Sequence, residues 1–140
     1  MWSRYLATRA RQALRALGVR RSELSLSLVA DPEMRVLNRD YRGKDRPTDV
    51  LAFPLFTPPI PPGVASLGDV VISIDTAILE AAERKIPLAR CLDELVIHGI
   101  LHVLGYDHEI SPAEERRMAR KAREVRRAIG ELSTPRGARA

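Results

Sequence analysis

Three histidines, His98, His102 and His108, are the only ones in 140 residues, and they fall within eleven positions. His98 and His102 are four apart, so on a helix both imidazoles leave one face about a turn from each other and can share a metal ion. Gly105 offers a residue able to take a left-handed backbone, which lets the chain reverse and present His108 as a third ligand. Three neutral imidazoles leave a fourth position for water, the pattern of a catalytic zinc rather than of a closed structural one. The plainer alternative is a set of hydrogen-bonded core histidines. Two imidazoles facing each other on a mostly apolar helix argue against it, because burial without partners carries a desolvation cost that coordination removes. One Zn2+ is the expected cofactor, and a fourth protein ligand would make it purely structural.

The elements that must position these residues follow from periodicity. Residues Leu88 to Leu104 read as a helix with apolar side chains around most of its circumference, which belongs in the interior. An amphipathic helix is expected from about residue 3 to 17, ended by Gly18, with its arginines facing outward. The alternation in Leu24 to Val29 predicts a strand with one buried face. Asp31 reads as the cap of a short helix through Leu37, with Pro32 at its first position. Tyr41 to Pro47 reads as a polar loop, followed by a strand over Val50 to Phe53 and an extended proline-rich loop from Pro54 to Pro62. Val70 to Ile74, apolar on both faces, suits a central strand, and Asp75 or Thr76 can cap a helix to about Lys85. Pro112 opens a last helix with Met118, Ala122, Val125 and Ile129 in one stripe. The expected fold class is α+β: a single domain with a small mixed sheet, about five helices and the histidine helix buried centrally.

At 45% hydrophobic, the chain can bury a core without staples, and one domain over residues 1–132 is expected, with 133–140 a disordered basic tail. No apolar run is long enough to cross a membrane, and the arginine-punctuated start lacks the core of a secretory signal, so a cytoplasmic protein is expected. A mitochondrial presequence is the other reading of that start. The lone Cys91 excludes an internal disulfide and reads as helix filler. Net charge is +5, and six arginines precede the first acidic residue, Glu23. A basic end attracts polyanions such as RNA, though a solvated helix face would look the same.

The histidine motif resembles that of the metzincin zinc proteases, but Gly99 stands where they carry the glutamate that acts as general base, which counts against peptide hydrolysis. The chain is more closely similar to another family, the YbeY endoribonucleases, in three ordered blocks: Leu37-Asn38 with Tyr41 to Asp45 and Pro47 to Pro54, then Leu67 to Asp69, then His98 to His108. The resemblance implies a cytoplasmic, single-strand-specific, metal-dependent RNase that matures the three-prime end of small-subunit (16S) ribosomal RNA and takes part in ribosome quality control. It implies metal ligands at His98, His102 and His108, a functional arginine at Arg42, and RNA with the ribosome or its proteins as partners. Two departures stand out: this chain starts almost directly in a helix where the family has a strand first, and Ala52 occupies a position that is usually serine.

A guanidinium on a polar loop, as expected for Arg42, can fork onto a phosphate and stabilise charge developing in the transition state. Asp69 or Asp107 could orient a ligand imidazole. Two rivals remain: a non-catalytic ribosome-assembly factor with a structural zinc, and a zinc hydrolase of another substrate such as a peptide or small amide.

Overall fold

Val70, Val71 and Ile72 are apolar on both faces, and they lie where such residues must, in the central strand of a three-stranded mixed sheet ordered β1-β3-β2. In chain order the elements are α1 (Trp2–Ala16), β1 (Glu23–Val29), α2 (Asp31–Arg42), β2 (Val50–Pro54), β3 (Ser66–Ser73), α3 (Ile74–Arg84), α4 (Leu88–Val103) and α5 (Pro112–Ile129). They come from a computed structural model that describes residues 1–107 and 109–132; the tail expected from 133 onward lies outside them. Strand β1 runs parallel to β3, and β2 antiparallel, with Val50 opposite Ile72 and Pro54 opposite Gly68. The architecture is a small α+β domain with five helices among the described residues.

Strand periodicity divides the core. Val70 and Ile72 point into the main cluster, with Leu92, Val96, Ile97 and Ile100 of α4, while Val71 and Leu51 point to the other face and meet Met34 of α2. Helix α4 packs against α1, α3, α5, β2 and β3, so the apolar helix that carries His98 and His102 is central. A fully buried leucine or isoleucine on such a helix contributes about 1.5–3 kcal/mol, which makes α4 the fixed frame of the domain. Cys91 lies inside it, fully buried, and burial followed by the nearby Glu80 charge pushes its thiol up to about 11. A thiol so held is a small apolar filler, as its isolation in the sequence implies.

Three details correct the sequence reading. Helix α2 does not stop at Leu37 but runs to Arg42, where Gly43 takes the left-handed conformation at φ 71°. Residues 39–42 are its exposed last turn, so polarity there marks exposure and not a loop, while Asn38 is buried and bonded to the segment that follows. Asp31 does not cap its own helix, whose cap position is Ala30. Its Oδ1 instead accepts the hydroxyls of Ser73 and Thr76, each at 2.6 Å, and Ser73, rather than Asp75 or Thr76, caps α3. Finally, Arg9 does not face outward: it is fully buried, and its Nε and Nη2 donate to the two oxygens of Asp93, both at 2.9 Å. Tyr5 also donates to Asp93, at 3.0 Å, and burial together with that carboxylate pushes the phenol up to about 12. Arg9 further donates to the carbonyls of Ile129 and Gly130, tying the end of α5 to α1 and α4.

Candidate functional site

The spacing of four that set His98 and His102 on one helical face places their rings 4.7 Å apart between centroids, with planes at 65°. Both are half-buried at the wall of a cleft of about 430 Å³. Gly99 explains how α4 comes so close to the sheet. A Cβ there would lie 2.6 Å from Val70 Cγ1 and 3.3 Å from Val50 Cγ2, so the helix could not settle at this depth with any side chain at 99. The same contact closes that position to a glutamate, which agrees with setting the peptidase reading aside.

At its C-terminus α4 ends as expected of Gly105. The N–H of Gly105 donates to His102 O and that of Tyr106 to Leu101 O, each at 3.0 Å, with Gly105 at φ +104°. A Cβ on Gly105 would strike Pro58 of the proline-rich loop at 2.2 Å, so the reversal is also packed in place. The chain therefore turns back at the residues that lead toward 108, but His108 itself lies outside the described residues.

Arg42 enters the cleft from the last turn of α2 rather than from a loop, half-exposed, with its Nη2 3.6 Å from Glu109 Oε1. The following segment is held down by two contacts. Asn38 Nδ2 donates to Arg46 O at 2.8 Å, and Arg35 forks onto Asp45 at 2.7 and 3.1 Å, which holds the Asp45 carboxyl below its usual range. Lys44 and Arg46 are thereby set along the same cleft, giving it three cations with Arg42. Asp107 also lines the cleft, its Oδ1 accepting the Glu109 N–H at 2.9 Å, whereas Asp69 is exposed on β3 and does not line it. Of the two aspartates considered as orienting groups, only Asp107 lines the cleft.

Sequence reasoning gave no role to a carboxyl pair beside the cleft. Asp49 lines it, accepting the Val50 N–H at 2.7 Å, and Glu80 of α3 lies behind. Burial, then a hydrogen bond and charge repulsion from Asp49, push the Glu80 carboxyl up to about 7. The signal for Lys44, Arg46 and Asp49 was available only as their clustering between Tyr41 and Phe53, since loops carry no periodicity.

Can these residues take a metal? Two imidazoles on adjacent turns, facing one cleft, are the nitrogen donors that zinc accepts, and they fit it as far as two ligands can. Among the described residues no group of three His, Cys, Asp or Glu gathers to hold an ion, so a third ligand would have to come from His108. No described helix is long and apolar enough to cross a membrane.

Residues 2–130 match the sequence profile of the family described as Endoribonuclease YbeY. A protein of that name from Anaeromyxobacter sp. (strain Fw109-5) is 52% identical over 128 residues, which cover 91% of this chain and 65% of the relative. The chain thus spans about two thirds of the length of that relative. Another, from Geobacter sulfurreducens, is 47% identical over 127 residues, covering 88% and 83%. A solution structure of a Thermotoga maritima protein superposes with a TM-score of 0.62 at 28% identity, over 98% of this chain and 93% of that one. The arrangement of α4 beneath an edge strand, the histidine pair and the family profile spanning all five helices lead to one assignment: this chain belongs to the YbeY endoribonuclease family.

Proposed function

We propose that the chain is a zinc-dependent, single-strand-specific endoribonuclease that matures the three-prime end of small-subunit ribosomal RNA and serves ribosome quality control. It would act in the cytoplasm, in contact with the ribosome or ribosomal proteins. The observation that carries this reading is the convergence of the His98–His102 pair and Arg42 on one cleft whose other cations, Lys44 and Arg46, suit a phosphodiester. The name shared by the relatives supports RNA as the substrate.

In this reading His98, His102 and His108 hold one zinc ion, and the chemistry such an ion supplies is Lewis acidity and activation of water near neutral pH. Arg42 binds the scissile phosphate, its fork matching two phosphate oxygens, and stabilises the charge that builds up as the new P–O bond forms and the old one breaks. Lys44, as a point charge, and Arg46, through its fork, hold neighbouring phosphates. Asp107, which accepts the Glu109 N–H, holds Glu109 at the cleft. The attacking oxygen belongs either to water or to the adjacent ribose hydroxyl, and a cyclic phosphate on the cleaved end would exclude direct attack by water.

The test is cleavage of an end-labelled single-stranded RNA spanning a small-subunit three-prime end, comparing the wild type with His102→Ala and Arg42→Ala purified identically. Loss of cleavage in both, with zinc content lost only in His102→Ala, is the expected result. Equal cleavage by all three would assign the activity to a contaminant and leave the non-catalytic assembly factor, which binds RNA without turnover.

A further inference from the structure

The outer edge of β2 carries a hydrogen-bonding pair for which the reaction above has no use. Ser73 N donates to Asp49 O at 2.9 Å and Leu55 N to Leu67 O at 3.1 Å, and both fit the register that sets Val50 opposite Ile72. In an antiparallel ladder the bonded pairs alternate, so Leu51 and Phe53 turn their backbone groups to β3, while those of Val50, Ala52 and Pro54 turn the other way. Among the described residues that side is the open edge of the sheet, and Val50, Leu51 and Ala52 line the histidine cleft. The Val50 N–H is taken by Asp49 Oδ1 at 2.7 Å, and Pro54 has no N–H. Of the three residues, Ala52 alone offers the cleft both a donor and an acceptor.

One rung is too short for an added peptide strand, which draws its affinity from a run of main-chain hydrogen bonds. It suits a nucleobase, because each of the four bases presents an adjacent donor and acceptor on its Watson–Crick edge. The same cleft is also lined by Arg42, Lys44 and Arg46, which complement a phosphodiester chain. We infer that the N–H and C=O of Ala52 read the Watson–Crick edge of one unpaired base in the RNA strand whose phosphate lies on Arg42. In a duplex that edge is occupied by the complementary base, so the contact selects single strands with little regard to sequence. The inference rests on the nuclease reading and adds to it the group that enforces single-strandedness.

The experiment compares wild type and Ala52→Pro on a single-stranded RNA and on the same RNA carrying, at each nucleotide around the cut in turn, a base methylated on its Watson–Crick edge. Proline removes the outward N–H and leaves the ladder to β3, which does not use it, and thermal melting checks that the variant folds. For the wild type, methylation at one position should slow cleavage about tenfold, the net worth of a hydrogen bond, with little effect elsewhere. Ala52→Pro should cut unmodified RNA about tenfold more slowly and be indifferent to that methyl group. A wild type indifferent to methylation at every position overturns the inference and leaves the nuclease reading standing, as does an Ala52→Pro protein that keeps the wild-type methyl sensitivity. A wild type that does not cut unmodified RNA removes both. Should Ala52→Pro not fold, the methylation scan of the wild type decides alone.

Discussion

Arg42 and Glu109 face each other across the mouth of the cleft at 3.6 Å, both about half exposed. A pair of this kind contributes about 0–1 kcal/mol, so an arriving phosphate displaces the carboxylate at small cost. Glu109→Ala should therefore lower KM for RNA by about two- to fivefold with kcat little changed. Steady-state kinetics checks this, and an unaltered KM would mean that the ion pair does not compete with substrate. Glu80 makes a separate, pH-dependent prediction. Its carboxyl is pushed up to about 7 in the folded chain against 4.5 ordinarily, because it is buried beside Asp49, with Glu83 adding to the repulsion and Arg84 opposing it. Between those two values the unfolded chain releases the proton and the folded chain keeps it. This group's contribution to stability is thus complete at low pH and is lost as pH rises toward 7. Glu80→Gln, which stays neutral, should gain in melting temperature over the wild type as pH goes from 5 to 8, and parallel melting curves would show that the carboxyl is not strained.

Helices α1 and α4 are joined at Asp93, which accepts Tyr5 and both arms of the Arg9 fork in a buried setting, and Arg9 also ties in the end of α5. Removing one partner of a buried pair leaves a bare charge, at a cost of about 3–5 kcal/mol. Arg9→Ala should lower the unfolding free energy by that amount in urea titration, while Arg15→Ala, exposed on the same helix, should change it by less than about 0.5 kcal/mol. Sequence reading placed Arg9 in water because charge alone argues for solvent; only the distant Asp93, 84 positions away, makes its burial possible. The second half of α2 was hidden for a related reason: residues 39–42 are exposed and polar, and the burial of Asn38 depends on a bond to Arg46, eight positions on. Where punctuation was local the element was readable: Gly18 closes α1, Pro112 opens α5, and the apolar run at 70–72 marks the central strand. At the site, the i, i+4 histidines announced themselves, and Arg42 stands in their cleft. Lys44, Arg46 and Asp49 did not stand out, since their positions depend on a loop pinned by Asn38 and Arg35.

Across the whole molecule, clusters of positive charge stand at both edges of the sheet. Arg11, Arg15, Arg20 and Arg21 rim a groove of about 770 Å³ beside β1, while Arg42, Lys44 and Arg46 stand at the β2 edge. If a bound strand reaches both, changing the first four to glutamate should weaken binding of long RNA and make its log–log salt dependence shallower by up to about 3, with short RNA unaffected. An unchanged slope would confine the footprint to the cleft. Between these edges lies β3, bonded on both sides and covered on both faces. Its amide protons can exchange with solvent only when the sheet comes apart, and α4 rests on that strand through Gly99. The floor of the cleft therefore belongs to the last cooperative unit to open, whereas its rim, built from the end of α2 and a pinned loop, can fluctuate without it. Heat or denaturant should soften the grip on substrate well before it separates His98 from His102.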